Sequence, residues 1–172
     1  LKAIKSFIEF HKEELGVNID LSTKGSGLTD KRVVFDYLPS RDEVLMLIER
    51  APINLKPCIA LMAFAGMRPS DVLEMRSENV MDEVKWDEEK QCYQPVKVPL
   101  KITLRQKKTG QFYVTFLGPK GARILCNHLT RLRKKLNKEL NPMDKLFHYS
   151  SVGSLVVMIT HVIEDTAERR PE

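Results

Sequence analysis

The 172-residue chain has only three cysteines and one tryptophan, no Asp or Glu between Lys97 and Lys138, and no uninterrupted apolar stretch of bilayer length. Cys58, Cys92 and Cys126 are far apart and form no CxxC pair, which supports neither a disulfide framework nor a cysteine-based zinc site. Reduced, buried thiols are expected. His11, His128, His148 and His161 lack spacings such as HExxH, so no metal ion is expected either. No secretory signal opens the chain, and it is read as intracellular and cytoplasmic. With 42% apolar and 30% charged residues it has the composition of a globular protein with one core, or one core and a fragment of a neighbour.

What the chain does have is positive charge in one place. The net charge of +5 is modest, yet the acid-free stretch holds twelve basic residues: Lys97, Lys101, Arg105, Lys107, Lys108, Lys120, Arg123, Arg131, Arg133, Lys134, Lys135 and Lys138. A polyanion such as nucleic acid is the natural partner; a merely solvated cationic face is the plainer alternative.

Along the chain, LKAIKSFIEFHKEEL reads as a helix closed by Gly16, and VNIDLSTKGSGLTDKR as a turn-rich linker, which puts a boundary between Gly16 and Val33. A second domain opens at Tyr37. Ser40 and Glu43 form a capping box for a helix that buries Val44, Leu45, Leu47 and Ile48. An apolar helix from about Asn54 to Ala65 should be central and stop at Gly66. Pro69 and Ser70 then start a helix over SDVLEMRSE.

From Gln94 the period becomes two. Val96, Val98, Leu100, Ile102 and Leu104 alternate with polar residues, and the apolar set resumes at Phe112, Val114 and Phe116 after Lys107-Lys108-Thr109-Gly110. A hairpin is predicted, with Pro99 marking an edge strand. Helices follow over PKGARILCNHLTRLRKKLNKEL, with Leu125, Leu129, Leu132, Leu136 and Leu140 as its stripe and Asn141-Pro142 as its breaker, and over SVGSLVVMITHVIEDTAERR. The fold class expected is α+β, mainly α, with a small antiparallel hairpin.

AGMRPSDVLEMRSENV, at 65–80, together with the Lys-Thr-Gly hairpin, resembles the catalytic domain of the tyrosine recombinases, the phage-integrase family. Gly66, Arg68, Ser70, Asp71 and Val72 match, in identity or type, that family's Thr-Gly-Leu-Arg-x-Ser-Glu-Leu segment. The resemblance implies that residues 1–16 are the last helix of a DNA-clamping domain, 17–36 a linker and 37–172 part of a catalytic domain. It implies site-specific strand cleavage and rejoining on double-stranded DNA through a 3′-phosphotyrosyl link, without metal or nucleotide cofactor, in a homo-oligomer that is a tetramer on recombining DNA. Service to a mobile element belongs to the same family expectation.

The residue types suit that chemistry. A permanently charged, planar guanidinium at Arg68 would bind the charge that develops on the phosphate oxygens. Asp71 would orient it, or else is a plain acid at a helix N-terminus. The resemblance makes Lys108, preferred over Lys107, the proton donor to the leaving 5′-oxygen; both lysines alternatively just contact phosphate. Lys101, Arg105, Lys107, Arg131, Lys134, Lys135 and Lys138 are the expected DNA contacts. The family also needs a His-x-x-Arg pair and a tyrosine nucleophile. His128-Leu129-Thr130-Arg131 comes too early in the order to be that pair, and Tyr149 too soon to be the nucleophile, so both are expected beyond Glu172, leaving this chain inactive alone. The alternatives are a helix-turn-helix module with SDVLEMRSE in the major groove, a helix made unsuitable by Asp71, Glu74 and Glu78, and a protein-interaction domain with a basic face.

Overall fold

The computed structural model describes residues 39–105 and 110–168. The expected first helix and linker, Lys107 and Lys108 lie outside them.

Helix α1, Arg41–Arg50, begins with the expected capping box: Glu43 N–H donates to Ser40 Oγ (3.3 Å) and Ser40 N–H to Glu43 Oε2 (2.8 Å). Helix α2, Lys56–Ala65, buries Pro57, Cys58, Ile59, Ala60 and Leu61. As expected it is central, packing on α1, on the short helix α3 (Pro69–Glu74) and on two later elements. Gly66 ends it in the left-handed region, φ 64°, where a side chain would cost strain.

Helix α3 is shorter than predicted. The helix expected from the sequence runs to Glu78, but Met75 turns extended and two single 3₁₀ turns follow, Ser77–Asn79 and Met81–Glu83. The hydrogen bonds of this segment go elsewhere. Leu146 N–H donates to the Met75 carbonyl, Ser77 N–H to Asp144 and Glu78 N–H to Pro142, each at 3.0 Å, so a distant loop takes the place of another helical turn.

Two antiparallel two-stranded sheets follow. The first, β1 (Val84–Asp87) with β2 (Cys92–Pro95), has no counterpart in the sequence reading, which began its strand at Gln94 and ran it through Val98. Val96 and Val98 lie exposed between the sheets. The first hairpin docks on α4, Pro119–Leu136, by burial of Tyr93, whose N–H donates to Thr130 Oγ1 (2.8 Å), while the Arg133 guanidinium lies 4.0 Å from the Trp86 ring centroid.

The second sheet pairs β3 (Leu100–Arg105) with β4 (Phe112–Leu117), Leu100 opposite Leu117, Ile102 opposite Thr115 and Leu104 opposite Tyr113. Here alternation misleads. Leu100, Ile102 and Leu104 face the core, but in β4 the inward set is Tyr113, Thr115 and Leu117, leaving Phe112, Val114 and Phe116 outside. Facing directions follow the cross-strand register, and the hydroxyls turned inward find partners.

Helix α4 ends at Leu136, not Leu140, because Asn137 takes the left-handed conformation with φ 50°. Leu125 and Leu129 are fully buried, whereas Leu136 is 45% exposed. Helix α5, Val152–Glu168, packs on α1 and α3. The architecture is α+β and mainly helical, with one core built on α2, α4 and the inner face of β3 and β4.

Candidate nucleic-acid interface

Arg68 occupies the N-cap of α3 in an extended conformation, and its side chain is exposed. The apolar helix α2 packs up to Ala65, Gly66 reverses the chain, Met67 is buried, and the guanidinium follows at the edge of the core. Pro69 at the first helical position fixes the direction in which the chain leaves. The local sequence therefore sets the base of the Arg68 side chain rigidly while leaving its head in solvent.

Asp71 is only 4% exposed. Its carboxylate accepts a hydrogen bond from the Tyr113 hydroxyl (3.2 Å), so its hydrogen-bond partner is on β4. The Tyr113 hydroxyl is pushed up to about 12, first by burial and then by the Asp71 charge, with the Arg68 charge acting in the opposite sense. It stays protonated and donates. Two residues along β4, Thr115 Oγ1 donates to the Ala65 carbonyl (2.7 Å), one of the free carbonyls at the end of α2. The segment around Arg68 and strand β4 are thus pinned together at two points. Sequence reasoning missed Tyr113 and Thr115, since polar residues opposite an apolar set read as solvent-facing.

The basic residues of β3 and α4 differ in how free they are. Lys101 is exposed and pairs with Glu83 (3.7 Å). Arg105, also exposed, donates from Nε to the Gly110 carbonyl (2.9 Å) and lies over the Phe112 ring. Arg131 is half-exposed but already partnered: it donates to the Ile53 carbonyl (3.1 Å) and to Asn54 Oδ1, tying α4 to the turn before α2. Lys138 pairs with Asp144 (3.7 Å), and Lys134 and Lys135 project into solvent from the last turn of α4.

His128 is buried, with Nε2 2.7 Å from the Leu146 carbonyl and its ring stacked on Phe147. Tyr149 is half-buried beside Cys58, its hydroxyl pushed up to about 12 by burial and by that thiol. Burial likewise pushes Cys58 up to about 12 and Cys126 to about 11, so both are inert thiols. These positions suit packing. No described helix is long and apolar enough to cross a membrane.

No protein-family model matches the chain, and no curated protein matches it. Among solved structures it is similar to the crystal structure of XerA recombinase, with a TM-score of 0.56 and 16% identity over 99% of this chain and 55% of that one. The chain spans about half the length of that protein. At this identity the likeness is one of fold, and the fold is recombinase-like.

Proposed function

We propose that this chain carries part of the active site of a tyrosine-recombinase-type DNA strand transferase, with double-stranded DNA as substrate. The observation that supports this most is the pinning of the Arg68 segment to β4 through Tyr113–Asp71 and Thr115–Ala65. Electrostatic catalysis needs a cation whose base is held in place before the charge develops.

In this reading a tyrosine phenolate oxygen attacks the scissile phosphorus, and the negative charge gathering on the non-bridging oxygens is bound by the Arg68 guanidinium. The P–O5′ bond breaks, the 3′-phosphate stays on tyrosine, and Lys108 gives its proton to the departing 5′-oxygen. The bond energy kept in the phosphotyrosyl ester lets the step reverse onto a new 5′-hydroxyl without nucleotide or metal. Asp71 acts as a positioning residue through Tyr113. Lys101, Arg105, Lys107, Lys134, Lys135 and Lys138 contact DNA backbone, and the working unit is a homo-oligomer on DNA. The reading requires a His-x-x-Arg pair and a nucleophilic tyrosine outside the described residues, since Tyr93 is buried, the hydroxyl of half-buried Tyr149 is enclosed beside Cys58, and Tyr113 serves Asp71. A helix-turn-helix reading is disfavoured because α3 has six residues and buries Asp71 and Val72.

The test is strand cleavage by a cleavage-competent form of the protein. Arg68→Ala should lower cleavage by roughly 10²–10³-fold, the usual loss for one such donor, with a far smaller fall in duplex affinity. Equal losses in both would make Arg68 an ordinary phosphate contact.

A further inference from the structure

The apolar strand on the outer face of the second sheet is left over by this function. Phe112, Val114 and Phe116 are 75%, 49% and 54% exposed at alternate positions of β4. Directly opposite them on β3 stand Arg105, Thr103 and Lys101. The result is a two-stranded ribbon with rings and methyls along one strand and two cations along the other, the Arg105 guanidinium 5.9 Å from the Phe112 centroid. Exposed phenylalanines cost solubility, and three apolar side chains in a row on one face need a reason.

The charge on the face says which partner fits. Lys101 and Arg105 lie within the stretch from Lys97 to Lys138 that has no acid, and the ion pair of Lys101 with Glu83 is an exposed contact of a kind that exchanges readily for a phosphate. A polyanion with flat apolar surfaces matches both strands at once. We propose that this face binds unpaired nucleotides of a nucleic-acid strand, with bases stacked on Phe112 and Phe116 and the backbone against Lys101 and Arg105. Residues 112 and 116 are four strand positions apart, about 13–14 Å, with Val114 between them, which suits a short run of splayed bases. An intact duplex keeps its base faces inside the stack and offers these rings nothing comparable. The proposal goes beyond the strand-transfer reading and does not depend on Arg68.

The experiment uses the 172-residue chain and a labelled thymidylate oligomer of about 12 nucleotides, against a duplex of equal length, followed by fluorescence anisotropy. The single strand should bind tighter. Phe112→Ala and Phe116→Ala should each weaken single-strand binding by about 5- to 150-fold, from the usual worth of one base–ring stack, while duplex affinity and the salt slope hold. Phe112→Trp should retain binding. Lys101→Gln with Arg105→Gln should reduce the single-strand salt slope by about 1.4 in all. Single-strand binding is read on the 172-residue chain with no cleavage step, so failure of the strand-transfer reading and failure of this one can be told apart. Both phenylalanines are exposed, and a thermal melt of each variant confirms that the fold is kept. The proposal is overturned if single strand and duplex bind alike, if the alanine variants bind single strand as the parent does, or if sedimentation shows a dimer that Phe112→Ala dissolves in place of oligonucleotide binding.

Discussion

His128 lies buried on α4 with its ring stacked on Phe147 and one nitrogen satisfied. A carbonyl only accepts, so Nε2 carries the proton toward Leu146, and Nδ1, buried without a partner, keeps its lone pair. Burial lowers the affinity of this imidazole for a second proton below its ordinary value, the Arg131 and His148 charges act the same way, and the bond to Leu146 opposes them. In the unfolded chain the same ring takes up a proton near 6.5. Folding therefore gains stability from neutral His128 above that pH and loses it as the pH falls toward the lower folded value. Between about pH 7 and pH 5.5 the melting temperature should drop, and His128→Gln should flatten the drop; equal slopes in parent and variant would refute this. Gly121 offers a second test at this scale. A Cβ there would stand 2.5 Å from Leu117 Cδ1 and 2.7 Å from Cγ, and Leu117 is fully buried. Gly121→Ala should cost about 1–3 kcal/mol by overpacking, measured by urea unfolding.

Strand β4 is the element on which the candidate site turns. Its inward hydroxyls fasten it to the end of α2 and the start of α3, and its outward rings face solvent. Thr115→Val keeps the shape but removes the donor to the Ala65 carbonyl, leaving an acceptor in a partly buried place. The loss should be about 1–3 kcal/mol by thermal or chemical melt. If β4 holds the Arg68 segment for catalysis, the same variant should lower strand cleavage more than duplex affinity, which a purely structural hydroxyl would not do. An unchanged cleavage rate in a destabilised protein would assign Thr115 to packing alone.

For the whole molecule the basic residues divide by what already holds them. Lys134 and Lys135 project freely, whereas Arg131 ties α4 to Ile53 and Asn54. Lys134→Gln with Lys135→Gln should reduce the slope of log duplex affinity against log salt by about 1.8, at 0.9 per phosphate contact. Arg131→Gln should instead lower the melting temperature and leave that slope nearly as it was. A slope that answers to Arg131 and ignores the two lysines would reverse the assignment. On a nicked substrate that traps phosphotyrosyl links, residues 1–172 should give no DNA-linked band on a denaturing gel; a band lost in Tyr149→Phe would make that residue the nucleophile.

Local sequence determined what local physics decides. The Ser40–Glu43 capping box, the apolar run from Lys56 to Ala65, the stop at Gly66 and the emergence of Arg68 before Pro69 depend on neighbours within a few positions, and each stands as read. The position and charge of the acid-free stretch were legible for the same reason. Tertiary structure decided the rest. Helix α3 ends early because residues 142–146 capture its backbone, and the hairpin of Val84–Pro95 forms against α4 through Thr130 and Arg133, partners that no window of nearby sequence contains. Which face of β4 is buried was fixed by register with β3 and by two hydroxyl partners on α2 and α3, so Tyr113 and Thr115 went inward and the phenylalanines outward. Alternation along a strand says that two faces differ; only the packed neighbours say which one is inside.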